Sequence, residues 1–143
     1  MNKRLHILHL EDEPDFAELV RSMFVEDKLD ADVICVGDRA SFKKQLEGGT
    51  FDLIISDYHL PSFTGLEALA MAKKQCPHTP FILVSGTIGE QAAIESLRAG
   101  AVDYVLKQNP ERLPSAVRRA FKEAAERAKL RQAERELDRK SVV

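Results

Sequence analysis

The sequence predicts an α/β fold: a five-stranded parallel sheet, doubly wound, with helices on both faces. Three observations carry this. Apolar, β-branched runs lie at 5–10, 33–36, 52–56, 80–84 and 102–106. Amphipathic stretches separate them at about 15–28, 39–48, 65–75, 89–99 and from 114 onward. Strand–helix alternation repeated five times brings each strand back parallel to the others. The third observation is size: 143 residues, 44% hydrophobic and 31% charged, suit one globular domain with its own core.

Each element has a local reason. In the first amphipathic stretch Phe16, Leu19, Val20, Met23 and Phe24 recur at three- and four-residue steps, one face of a helix. Pro14 suits the helix start, with Asp15 and Glu18 in the early turns. Ile94, Leu97 and Ala101 repeat the spacing in the fourth stretch, and Gly100 is placed to cap it. Gly37, Gly48 and Gly49 fit no phosphate-loop pattern and read as turns. Right-handed crossovers leave few topologies for such a chain, and the flavodoxin-like strand order 2-1-3-4-5 is the one expected.

That order places the chemistry. Ligands bind outside the carboxyl ends of the strands, where the order reverses, here between strands one and three. Glu11 and Asp12 close the first run, Asp57 the third, Ser85 the fourth and Lys107 the fifth. Three carboxylates, one hydroxyl and one ammonium therefore gather at one edge. One lysine leaves about two negative charges uncompensated, so the cluster takes up protons or binds a cation. All-oxygen donors suit Mg2+. A phosphoryl site built around one aspartate follows, with Asp57 as nucleophile, Lys107 as a second positive charge and Ser85 as a hydrogen-bond donor.

With these residues in order, the chain resembles the receiver domain of two-component response regulators. The resemblance covers about residues 4–121. It rests on Glu11-Asp12, on Asp57-Tyr-His-Leu-Pro61 with Gly65, on Ser85-Gly86, and on Tyr104-Val-Leu-Lys107. Known members have the order 2-1-3-4-5, so alternation and resemblance do not predict it independently.

The resemblance implies roles residue by residue. Asp57 accepts a phosphoryl group from a phosphohistidine on a sensor kinase or phosphotransfer protein. Asp12, Asp57 and the backbone carbonyl of His59 hold Mg2+, with Glu11 acting mostly through water. Ser85 and Lys107 hold the phosphoryl group, and Tyr104 turns inward as Ser85 moves. His59 and Thr87 overlook the phosphate and could tune its hydrolysis. The face at about residues 88–121 binds an output or kinase domain, and a homodimer is compatible with the family. Two departures stand out. Gln108 follows Lys107 where the family usually has proline, so the loop into the last helix should differ. Ser85 replaces the commoner threonine, keeping the hydroxyl and losing a methyl.

Other readings of the same residues are a pseudo-receiver, an unphosphorylated interaction module, or a small Mg2+-dependent phosphatase. Loss of Asp57, Asp12 or Lys107 would favour the first, and all three are present. The second usually needs an aspartate at position 59, which is histidine. The chain is thus expected to be a signalling phosphoacceptor, not a turnover enzyme.

From Pro114 to about Arg139 no glycine or further proline interrupts, and alanine and charge dominate. The first half should pack through Leu113, Val117 and Phe121. The remainder, taken as a helical extension over 122–143 after a receiver over 1–121, carries the i,i+4 pairs Glu123–Arg127 and Glu136–Lys140. Leu130 and Leu137 lie one heptad apart, too little for a coiled coil. The stretch reads either as a solvated helix or as a linker to a further domain of a longer parent. A net charge of −2 and the lack of a following helix-turn-helix give no basis for nucleic-acid binding within this chain. The apolar runs are far short of a membrane span. Cys35 and Cys76 have no metal spacing, so a reduced, cytoplasmic protein is expected. Cys35 reads as a small core residue, and His6 and His9 on the first strand as structural or near the surface.

Overall fold

The computed structural model describes residues 4–86 and 89–141. Five strands, β1 (Leu5–Leu10), β2 (Ala31–Val36), β3 (Leu53–Asp57), β4 (Phe81–Ser85) and β5 (Asp103–Leu106), form one sheet in the order β2-β1-β3-β4-β5. Every pairing is parallel. The expected topology is observed. The helices are α1 (Pro14–Glu26), α2 (Arg39–Gly48), α3 (Gly65–Gln75), α4 (Glu90–Arg98) and α5 (Leu113–Ser141), with a single 3-10 turn at Pro110–Arg112 before α5.

Two apolar cores lie on opposite faces of the sheet. Alternate side chains of β1 separate them: Leu5 and Ile7 face one side, Leu8 and Leu10 the other. The first core joins Phe16, Val20 and Phe24 of α1 to Leu113, Ala116, Val117 and Ala120 of α5. The second joins Phe42 and Leu46 of α2 to Ala68, Leu69 and Ala72 of α3. Strand β3 is buried on both faces, as a central parallel strand must be. Asp38 caps α2 by accepting from the Ser41 N–H at 2.8 Å, and Thr64 caps α3 by accepting from Glu67 N–H at 3.2 Å.

Several local expectations are corrected. Strand β2 begins at Ala31, two residues before its apolar run, because it pairs with β1 from Leu5 onward. Leu19 of α1 is exposed, and Ala17 takes the inward position beside Phe16. In α4 the periodic residues Ile94 and Leu97 lie outward, 39% and 48% exposed, and only Ser96 is buried. A face of Ala92, Ala93 and Ser96 lets the helix approach closely, which turns the larger side chains away. Gly100 does end α4, at φ +115°, with Gly100 N–H donating to Leu97 O and Ala101 N–H to Ser96 O. His6 is exposed, whereas His9 is buried.

Helix α5 packs through its first two turns and Ala120, then leaves the domain. Its 29 residues span about 43 Å. Arg118 ties it to α1 by donating to Asp27 Oδ2 and to the Asp27 carbonyl. Beyond Phe121 most side chains are exposed, Leu130 and Leu137 at 60% and 68%. Among the described residues neither Glu123–Arg127 nor Glu136–Lys140 closes to an ion pair, since solvated side chains gain little by holding one rotamer. No helix of the described residues is long and apolar enough to cross a membrane.

Helix α1 ends in the same hydrogen-bond pattern as α4, but with Lys28 in the left-handed position, at φ 57°. A Cβ there is strained by roughly 1 kcal/mol, which glycine relieves in part because its unfolded chain is freer. Lys28→Gly should therefore raise Tm by about 2 °C in a thermal melt, a shift of the size expected for about 0.5 kcal/mol in a chain this long.

Candidate functional site

The site is built at the carboxyl edge of the sheet, on both sides of the reversal in strand order. Strand β1 delivers Glu11 and Asp12, β3 ends in Asp57, β4 ends in Ser85, and Lys107 follows β5. Parallel pairing in register brings these ends to one level. Asp57 and Glu11 are 5% and 3% exposed, Ser85 is fully buried, and Asp12 is exposed. One carboxylate oxygen from each of Glu11, Asp12 and Asp57 lies within 4.8 Å of the other two, a spacing that one cation could bridge.

Lys107 is the counter-charge. Its Nζ lies 3.0 Å from Asp57 Oδ2, 3.0 Å from Glu11 Oε1 and 3.7 Å from Glu13 Oε1. The face of Phe16 closes the fourth side, its centroid 4.6 Å from Nζ. Burial pulls the ammonium's pKa down, but Glu11 and Asp57 outweigh it and hold Lys107 above its ordinary value. Burial pushes Glu11 the other way, up to about 7, helped by the charge of Asp57 and opposed by the Glu13 N–H and Lys107. By count, three carboxylates share the one ammonium. The other oxygens are also held. Glu11 Oε2 accepts from the Glu13 N–H at 3.1 Å, and Asp57 Oδ1 from the His59 N–H at 3.3 Å.

The loops are shaped by close backbone approaches. Gly65 donates to the Tyr58 carbonyl at 2.7 Å and folds the β3–α3 loop back on Asp57. A Cβ on Gly65 would lie 2.6 Å from the Asp57 carbonyl oxygen and 2.9 Å from Tyr58 Cα. The loop after Lys107 is tied back to the end of β4. The Lys107 N–H donates to the Ser85 carbonyl at 2.9 Å, and Gln108 Nε2 donates to the Gly86 carbonyl at 2.8 Å. Both bonds tie the loop that carries the ammonium to the strand end that carries the hydroxyl.

Tyr104 is half-buried on β5 against the second core, with Tyr58 edge-to-face at 6.5 Å. The exposed His59 ring lies 5.0 Å from Tyr58. Thr87 lies outside the described residues. Sequence reasoning missed Glu13 and Phe16 as members of this site, and gave Tyr58 and Gln108 no contact of their own in it. Glu13 and Tyr58 were legible as neighbours of acidic strand ends. Phe16 reads as core until the lysine is seen above its ring.

The geometry has many relatives. The family model described as the response regulator receiver domain matches residues 7–118. The chain belongs to this family. Regulatory protein LuxO of Vibrio cholerae is 30% identical over 117 residues, 81% of this chain and 25% of LuxO. Transcriptional regulatory protein FixJ of Bradyrhizobium diazoefficiens is 27% identical over 130 residues, 90% of this chain and 62% of FixJ. The chain thus spans a quarter to under two-thirds of these relatives. Among solved structures, the signal receiver domain of a LuxO repressor protein from Vibrio parahaemolyticus superposes with a TM-score of 0.81 at 23% identity, over 90% of this chain and 98% of that one. The receiver domain of a Pseudomonas aeruginosa sensor histidine kinase has a TM-score of 0.71 at 23% identity, over 83% and 98%. That protein holds a magnesium ion in its active-site cleft.

Two outcomes follow for this receiver domain. Gly65→Ala should lose about 2 kcal/mol of stability in urea melts, since the backbone of Asp57 and Tyr58 must move to admit the methyl. The second concerns pH. His9 is buried beside Phe16, and its ring nitrogens have no hydrogen-bond partner among the described residues. Burial, with Lys107 and Arg21, lowers its pKa from 6.5 to about 4. The unfolded chain binds that proton more readily, so His9 costs stability as pH falls from 6.5 toward 4. Glu11 acts oppositely: its raised pKa makes the folded state bind the extra proton between pH 7 and 4.5, so stability gains on acidification. Urea melts at about pH 7 and pH 5 should therefore show a steeper acid loss in Glu11→Gln than in wild type, and a shallower one in His9→Leu.

Proposed function

We propose that this receiver domain accepts a phosphoryl group on Asp57 in the presence of Mg2+ and so switches a partner-binding face. The observation that carries the reading is the placement of Asp57. It is buried at the switch point of the sheet, 3.0 Å from the Lys107 ammonium and within bridging distance of Glu11 and Asp12. A carboxylate so placed is a nucleophile with one counter-charge beside it and the donors for a cation already assembled.

The donor set fits a magnesium ion: oxygen ligands only, three carboxylates to one ammonium. The ion in the Pseudomonas kinase receiver supports the same reading. Asp12, Asp57 and the His59 carbonyl would hold the ion directly. Glu11, with one oxygen on Lys107 and the other on the Glu13 N–H, would act mostly through water. The bound ion would supply neutralisation of charge on the transferred oxygens.

The chain's own residues do the rest. An Asp57 carboxylate oxygen attacks phosphorus, and the phosphorus–nitrogen bond of the phosphohistidine breaks. The bond pair leaves with the imidazole, which takes a proton from solvent, and Asp57 becomes an acyl phosphate. Lys107 leaves its carboxylates for the phosphoryl oxygens, and the Ser85 hydroxyl donates to another. Motion of Ser85 draws Tyr104 inward and reshapes the face at 88–121, where an output or kinase domain docks. His59 and Thr87 tune hydrolysis of the acyl phosphate by admitting or blocking water.

Residues 1–121 form the switching unit in this reading. Residues 122–143 are a helical extension or linker toward a further domain, and the protein works in the cytoplasm with a sensor histidine kinase or phosphotransfer protein. Intact mass after incubation with acetyl phosphate and Mg2+ tests it. The expected result is a gain of about 80 Da, one phosphoryl group, dependent on Mg2+ and absent in Asp57→Asn. A folded protein that binds Mg2+ but gains no mass, and forms no beryllofluoride complex, overturns it.

A further inference from the structure

Among the described residues four side chains face the Lys107 ammonium. Asp57 and Glu11, its 3.0 Å partners, belong to the same carboxylate cluster that would take up a cation. A divalent ion bound there repels the ammonium and competes for both carboxylates. The other two neighbours lie outside the cluster. Glu13 is 3.7 Å away but 64% exposed at the side chain, so solvent screens it. The Phe16 ring is 9% exposed, with its centroid 4.6 Å from Nζ, well inside the range of a cation on a ring face.

Phe16 cannot swing away with the ion. It stands in the first turn of α1, next to the Pro14–Asp15 entry, and belongs to the core shared with α5. Beneath it the buried His9 ring packs edge-to-face at 6.5 Å. The ring face is therefore a fixed surface, whereas the carboxylates are shared.

We propose that Phe16 is a positioning residue for Lys107: its ring face keeps the ammonium at the phosphoryl site once a cation, held by Asp57 directly and by Glu11 through water, weakens the pull of both carboxylates. This rests on the receiver chemistry above. The ring touches no reacting atom and acts only through the lysine. It does not contribute to holding the ion, so cation affinity and phosphoryl uptake should respond separately when the ring is altered.

The test uses the full chain with acetyl phosphate as donor. Phe16→Leu removes the ring face and keeps an apolar side chain. Trifluorophenylalanine incorporated at position 16 keeps the ring and its packing but withdraws the negative charge from its face. Both should slow phosphorylation about fivefold, the scale of a partly desolvated cation–π contact, while Mg2+ affinity stays at the wild-type value. Glu13→Gln should slow it by less than about twofold. A fluorinated protein phosphorylated at the wild-type rate overturns the proposal, as does one whose Mg2+ affinity falls in step with its rate.

A further reading needs no variant and no phosphoryl donor. The Lys107 ε-methylene protons of the wild type should show an upfield ring-current shift in NMR spectra that persists when Mg2+ is added. Loss of that shift on adding Mg2+ overturns the proposal even if Phe16→Leu fails to fold. A wild type that takes up no phosphoryl group fails the receiver chemistry instead, and the ring-current measurement still decides the placement of Lys107.

Discussion

An excess of negative charge, held half out of water at the end of a rigid sheet, is the constraint from which the rest of this receiver domain follows. Glu11 and Asp57 are nearly buried, and Asp12 lies within bridging distance of both. A single ammonium, Lys107, sits between the two buried groups. The backbone prevents relief by separation, because Asp57 ends β3 while Glu11 and Asp12 directly follow β1, the strand paired to it. Burial, helped by the charge of Asp57, raises the Glu11 pKa to about 7, so the cluster can take up a proton. A cation offsets the same charge, and under the proposed function it prepares the site for a phosphoryl group.

The scaffold around that edge is arranged to hold geometry while allowing a change of partners. Strands β3 and β4 are buried throughout and fix Asp57 and Ser85. The loops between them and the surface are fastened by hydrogen bonds, among them Gly65 to Tyr58, Lys107 to Ser85 and Gln108 to Gly86. The Gln108 amide bridges the two loops with a hydrogen bond that can open. Helix α4, held by small side chains and one buried serine, is the least anchored of the five. A face that must change shape on signalling is best built from such elements.

Lys107 connects these features. Its neighbours on one side are carboxylates that a cation would claim, and on the other an aromatic ring fixed in the core. An exchange of electrostatic partners around a lysine with a fixed platform is a local event. It needs no movement of the sheet, and the strand and loop that carry Lys107 also carry Tyr104.

The fold was legible in the sequence because its signals are local and repeated. Apolar runs of strand length alternate with stretches of helical period, and that alternation admits few right-handed parallel topologies. The ends of those runs carry Glu11, Asp12, Asp57, Ser85 and Lys107, so the topology sufficed to bring them to one edge. What tertiary structure alone decided depends on packing between segments far apart in the chain. The sequence pattern turned Ile94 and Leu97 inward, but close approach by Ala92, Ala93 and Ser96 turned them out. His9 carries no mark of burial in its own segment, yet α1 lays Phe16 against it. Phe16 reads as an ordinary core residue until β5 delivers an ammonium over its ring, 91 positions away. Periodicity reports which residues share a face. It does not report what the opposite face of the neighbouring element will bring, because that is set by the distance and rotation at which the two surfaces close.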